Sequence, residues 1–277
     1  MNGAIVKTGL LTLALCSIFF SKGYSIGNQN QVGAREVSLG NASVALISAF
    51  SVFHNQAALA WMKRLTIATD YRQPYLIEGF AEKSLAAVIP TPVSNFAFGI
   101  QQKGIQGYSE SRFGFAMAKK LGERFSAGLQ FNYFMVDFPE QGRNRGAFLV
   151  EIGLMFQTTD KVTVGLHIFN PGRASIESLN LKSNLPAGAT TGIALKLSGN
   201  LLFAGAFTYC IDNPLNINMG VEYQFHDCFF LRGGLSAKPI RHSAGVGYRI
   251  RFCSIDLAFV HHETLGYTPS LSLTLNL

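Results

Sequence analysis

The sequence predicts an all-β fold: a transmembrane antiparallel β-barrel of about 14 strands around an N-terminal plug or cap segment. Three observations carry this expectation. The first is alternation. Over residues 147–156, Phe148, Val150, Ile152, Leu154 and Phe156 are large and apolar, while Ala147, Leu149, Glu151, Gly153 and Met155 between them are mixed. A period of two puts the sets on opposite faces of a strand. The second is composition. The 277 residues are 48% hydrophobic and only 14% charged, against about 25% charged in ordinary soluble chains. Yet no internal run approaches the roughly 18 apolar residues of a membrane-spanning helix. The third is the character of the mixed face, rich in Gly, Ser, Asn, Gln, Arg and Glu. A soluble sandwich would have to keep such residues outside, because burying unpaired polar groups is costly. A barrel faces its apolar rows to lipid and these to its lumen.

In chain order, residues 1–25 read as a secretory signal peptide. Lys7 precedes an apolar run over 9–20, and Gly23 and Ser25 supply small residues before the expected cleavage. Export then leads to a bacterial outer membrane, with membrane lipid and lipopolysaccharide as surroundings. Residues 26–62 are rich in Ala, Gly and Ser without alternation, which predicts short helical turns and loop, an N-terminal cap. Residues 63–277 form the barrel. Its hairpins begin at Leu65, Ile67 and Thr69, and a second strand runs over 79–89 to Pro90. The rows Phe96/Phe98/Ile100, Phe113/Phe115/Met117 and Phe125/Ala127/Leu129/Phe131/Tyr133 follow. After the polar loop 139–145 and the strand already described, Thr158–Lys161 turns into the row Val162/Val164/Leu166/Ile168. Residues 171–185 lack a clear period and are expected as an extracellular loop. Hairpins resume around Ser198-Gly199-Asn200, and the row from Leu215 to Phe225 leads through Leu231/Leu235, Ala244–Phe252 and Ile255–Phe259 to Leu271/Leu273/Leu275/Leu277.

Composition also excludes functions. Cys210, Cys228 and Cys253 remain after the signal peptide, an odd and irregular set that gives neither a disulfide framework nor a zinc pattern. The net charge of +7 is dispersed and leaves no nucleic-acid footprint. No phosphate loop, metal-ligand spacing or nucleophile elbow is present, so neither a cofactor nor an enzymatic activity is expected. His226-Asp227-Cys228 falls at a turn, and the adjacent His261 and His262 face opposite sides of a strand.

Several short motifs resemble the FadL/PorV-like outer-membrane barrels, including the PorV/PorQ-like members of the Bacteroidetes type. These are Gly33-Ala34-Arg35, Leu39-Gly40-Asn41-Ala42 and Asn55-Gln56-Ala57-Ala58-Leu59, with weaker likeness along nearly the whole mature chain. Asn41 stands where the family has a second Gly, Gln56 where it has Pro, and Ala58 where it has the Gly before Leu. The resemblance implies a 14-stranded barrel with a plugged lumen. It implies passage of hydrophobic molecules if FadL-like, and a role in type IX secretion if PorV-like. The plug residues it marks are Gly33, Ala34, Arg35, Leu39, Gly40, Asn55, Ala57 and Leu59.

Alternation places Arg112, Arg145, Glu151, Lys196, Glu222, Arg232, Arg241, Arg249, Arg251 and Asp256 on the lumen side. Arg232, Arg249, Arg251 and Asp256 are expected to form an inner-wall charge cluster, Asp256 pairing with arginine and with plug residues such as Arg35 or Glu36. Two functions follow as expectations. One is transport of a hydrophobic solute past the plug or through the wall. The other is a non-transporting barrel docking secretion-system or envelope proteins. An apolar lumen pocket and a kink in the wall favour the first; a polar, sealed lumen favours the second.

Overall fold

A computed structural model describes residues 31–138, 143–178, 181–211 and 214–277. The signal peptide expected at 1–25, residues 26–30 of the expected plug segment and residues 139–142 of the expected polar loop lie outside the described residues, while residues 143–145 of that loop open β6. The strands are β1 (Thr66–Arg72), β2 (Ala81–Ile89), β3 (Asn95–Ile105), β4 (Tyr108–Lys120), β5 (Phe125–Phe138), β6 (Arg143–Gln157), β7 (Val162–Phe169), β8 (Ser175–Ser178), β9 (Leu181–Asn184), β10 (Gly188–Lys196), β11 (Leu201–Cys210), β12 (Asn216–His226), β13 (Phe229–Ala237), β14 (Ile240–Ile250), β15 (Cys253–His262) and β16 (Gly266–Asn276). All but β8 and β9 join one closed antiparallel sheet of 14 strands. Its seam is the pairing of β1 with β16, where Ile67 faces Leu275.

β8 and β9 form a separate two-stranded sheet inside the segment expected to be loop. They are only four residues each, too short for alternation to register.

The two faces of the wall follow the alternation. Phe98, Phe113, Phe115, Phe131, Phe148, Val221, Leu231 and Phe259 point outward and are exposed. A continuous apolar surface of this extent is unlike a water-facing one, where patches stay at a few hundred Å². It is suited to lipid. No helix among the described residues is long and apolar enough to cross a membrane, so crossing falls to the strands. Tight turns after β2, β4, β6, β10, β12 and β14 gather at one end of the barrel, the turn end. The longest connection, from Phe169 to Gly188, marks the opposite, loop end.

Inside the wall, residues 32–62 fold as a helix at Ala34–Ser38, a helical turn at Ser51–His54 and a 3-10 stretch at Gln56–Trp61. Most of these residues are buried. The segment makes a circuit of the lumen. Leu39 packs near Ala204 and Ala206 of β11, Val37 near Ala258 of β15, and Phe53 and Leu59 near Ala68, Ala86, Ala97 and Ala116 of β1 to β4.

Small inward residues make this approach possible. A methyl group added at Gly234 of β13 would overlap the backbone of Leu39 and Gly40, and one at Gly128 of β5 would lie 2.6 Å from the Gln56 carbonyl carbon. Glycines of β6, β7, β10, β12 and β14 meet the segment in the same way. The wall therefore carries an inner belt of Gly and Ala at the height where the segment lies.

Candidate functional site

The internal segment is tied to the wall at successive points. The Ala34 amide donates to Ser272 Oγ (2.6 Å) on β16. Ser243 Oγ of β14 accepts from the Gly40 amide (3.1 Å) and donates to the Ser38 carbonyl (3.0 Å). Asn55 Nδ2 donates to the carbonyls of Val44 (2.7 Å) and of Leu154 on β6 (3.1 Å), while its Oδ1 accepts from the Ala57 amide. Trp61 Nε1 donates to Ser126 Oγ of β5 (2.8 Å), and Asn95 Nδ2 of β3 donates to the carbonyls of Leu59 and Met62.

Two of the three departures from the resembled motif have local reasons. Asn41 has φ 63°, a left-handed conformation that Asn tolerates better than other side-chain-bearing residues. Gln56 uses its amide where Pro has none, donating to Glu151 Oε2 of β6 (3.0 Å).

Two charge networks join segment and wall. In the first, Arg35 grips Glu222 of β12 through Nε (2.7 Å) and Nη2 (2.8 Å). Arg232 of β13 bridges Glu222 (2.7 Å) and Asp256 of β15 (2.7 Å). In the second, Glu151 accepts from Arg112 Nη2 (2.6 Å) and Gln56, and lies 3.1 Å from His167 Nε2. Burial works against the charge on Arg35, but the Glu222 carboxylate more than offsets it and raises the pKa. Burial raises the pKa of Glu36, whose carboxyl oxygens have no hydrogen-bond partner among the described residues. Burial also pushes His54 down to about 4; its Nε2 meets the Val32 carbonyl at 2.7 Å.

The expected wall cluster is thus partly rearranged. Arg232 and Asp256 meet, but Arg35 reaches Glu222 instead of Asp256. Arg249 stacks on the Phe230 ring, its Cζ 4.5 Å from the centroid, and makes no ion pair with a described carboxylate. Arg251 does not belong to the cluster. β14 ends at Ile250, and Arg251 and Phe252 form the turn, where alternation no longer assigns a side; Arg251 is exposed. Gly33, Ala34, Leu39, Gly40, Asn55, Ala57 and Leu59 all lie in the buried internal segment. Sequence reasoning passed over the glycines of the inner belt. Their signal is present in the recurrence of Gly on the mixed face, but alternation alone does not say that a backbone approaches them there.

The segment separates two cavities. One, of about 370 Å³, opens toward the loop end. Phe53 and His54 of the segment form part of its floor. Phe134, Leu149, Phe169 and Leu185 give it an apolar side, and Arg72, Arg241, His262 and Thr268 a polar one. The other, of about 510 Å³, lies at the turn end among Arg35, Glu36, Phe50, Thr163, Lys196, Arg249 and Asp256. The barrel ladder has one register shift among the described residues, between Gln224 and His226.

A closed 14-stranded barrel with an apolar exterior and an internal segment between two lumenal cavities defines the class: a lipid-embedded β-barrel. Particular likenesses narrow the fold. The monoaromatic hydrocarbon channel CymD superposes with a TM-score of 0.66 over 90% of this chain and 98% of its own, at 15% identity. The toluene transporter TbuX of Ralstonia pickettii gives 0.66 over 90% and 99%, at 14% identity. A FadL homologue of Pseudomonas aeruginosa gives 0.60 over 92% and 99%, at 13% identity. At such identities the likeness is one of fold. No protein-family profile matches the chain, and no curated protein matches it.

Proposed function

We propose that the chain is an outer-membrane channel for small hydrophobic molecules, with residues 32–62 as the plug. The observation that carries this reading is the pair of cavities on opposite sides of one internal segment, the loop-end cavity having an apolar side. A solute resting against Phe53 and Phe169 passes only if the segment shifts. The segment is held to the wall by hydrogen bonds, by ion pairs and by the packing of Val37, Leu39, Phe53 and Leu59 on small wall residues, so its shift must exchange all three. The shared fold with hydrocarbon channels supports the same reading. The apolar exterior makes membrane lipid, with lipopolysaccharide in the outer leaflet, the expected surroundings.

The test is uptake of radiolabelled toluene and of a long-chain fatty acid by a bacterial host without hydrocarbon channels of its own. The host expresses the intact chain or a form lacking residues 33–60. Faster uptake of at least one solute than in the empty host, changed by the deletion, is expected. Uptake equal to the empty host, with folded barrel present in the outer membrane, rules the reading out. The density of bonds fixing the segment favours a second reading, a sealed barrel that docks a secretion or envelope partner; that reading remains if uptake fails.

A further inference from the structure

The loop-end cavity contains more positive charge than its acids can match. Arg72 pairs with Glu82, Lys103 with Glu110 and Arg112 with Glu151. That uses every carboxylate lining the cavity and leaves Arg241, on the inner face of β14, with no ion pair among the described residues. Its Nε is buried and has no hydrogen-bond partner among the described residues. The chain preceding Gln31, which reaches this cavity beside Arg72, contains no Asp or Glu. A half-buried guanidinium without an anion is costly, and its planar fork suits a carboxylate. Thr268 and His262 line the cavity on the same side, while Phe134, Leu149, Phe169 and Leu185 form the opposite side.

We infer that Arg241 is an anion-binding residue, and that the cavity takes a compact monocarboxylate with an apolar body, of the size of an aryl carboxylate. The carboxylate pairs with Arg241 and the body extends into the cavity toward its apolar side. This deepens the channel reading and rests on it for its place in a transport path, but the binding itself is testable without transport.

The experiment is calorimetric titration of benzoate into the purified full-length barrel in detergent, beside Arg241→Met and Arg241→Lys, with the toluene uptake assay run in parallel. Wild type is expected to bind benzoate saturably. Arg241→Met should weaken binding roughly tenfold or more, as befits loss of a charge-assisted pair, and Arg241→Lys should fall between. Raising salt from about 0.05 to about 0.5 M should weaken the wild-type affinity, because the screening length shortens; this arm needs no variant to fold. Absence of benzoate binding, an unchanged affinity in folded Arg241→Met, or insensitivity to salt overturns the anion site. Toluene uptake with any of those results leaves the channel reading standing. Arg241-dependent benzoate binding without uptake of any solute upholds the site and removes the channel.

Discussion

Arg232→Met tests the charge network at its hub. The Arg232 side chain is 1% exposed and holds Glu222 and Asp256 at 2.7 Å each. Methionine keeps most of the volume and removes the charge. Glu222 retains Arg35 after the change, but Asp256 has no other ion pair among the described residues. One buried carboxylate is therefore stranded, not two, and a one-sided break of this kind costs about 3–5 kcal/mol. Arg35→Met strands nothing, because Glu222 keeps Arg232, and Arg35 is the more exposed partner at 19%. Its cost should be about 1–2 kcal/mol. Adding Asp256→Asn to Arg232→Met removes the stranded charge and should restore much of the loss. The assay is urea unfolding of the barrel in phospholipid bilayers, followed by the heat-dependent shift in gel mobility. A cost for Arg232→Met below about 1 kcal/mol, or a double variant no more stable than the single one, would refute the reasoning.

Neighbouring glycines should behave oppositely. Gly234→Ala pushes a methyl into the backbone of Leu39 and Gly40, whereas nothing lies within 4 Å of a Cβ at Gly233. The first should loosen the internal segment, read as greater acrylamide quenching of Trp61, the single tryptophan, and the second should leave quenching unchanged. Asn55→Ala removes three hydrogen bonds that fix the segment and should cost roughly 2–3 kcal/mol in the same unfolding assay; a cost near zero would mean that water replaces them freely. His54 gives the segment a pH dependence. Its pKa is about 4 when packed and 6.5 ordinarily, so a released segment takes up a proton that the packed one refuses. Packing is at full strength above pH 6.5 and weakens as the pH falls toward 4. His54→Gln should flatten Trp61 quenching over that window, and an unaltered pH profile would exclude His54 as the source.

The wall was legible because its signal is local. Phe148 and Glu151 reveal their faces within one strand, and a strand such as β12 keeps its alternation from Asn216 to His226. Where the alternation ends, so does the reading: Arg251 follows the last residue of β14 and was assigned a side that a turn does not have. The internal segment was legible as a non-strand, because its Ala, Gly and Ser residues lack a period. Its partners were not legible. Arg35 lies 187 positions from Glu222, and nothing in either neighbourhood encodes which inward carboxylate comes to face it; that depends on the circumference and on the turn-by-turn register. The same holds for Arg241. Its inward position was readable from alternation, but its want of an anion among the described residues appears only when each carboxylate found lining the cavity has been matched to a cation.

The seam between β1 and β16 has a consequence for assembly order. The internal segment precedes β1 in the chain, yet the Ala34 amide bonds to Ser272 on the last strand, 238 residues away. Those bonds cannot form until almost the whole chain has been delivered. Closing the seam around a segment already inside is topologically simple, whereas threading it into a finished barrel means passing Trp61 and Phe53 through one mouth. Such distant pairings carry a large loop-closure entropy and slow folding. The wall should therefore gather as an open, curved sheet with the segment lying on its concave side, and closure of the seam should be the late, rate-limiting event. A chain lacking residues 33–60 would then close around an unfilled belt of Gly and Ala, at a rate that separates the contribution of the wall from that of its contents.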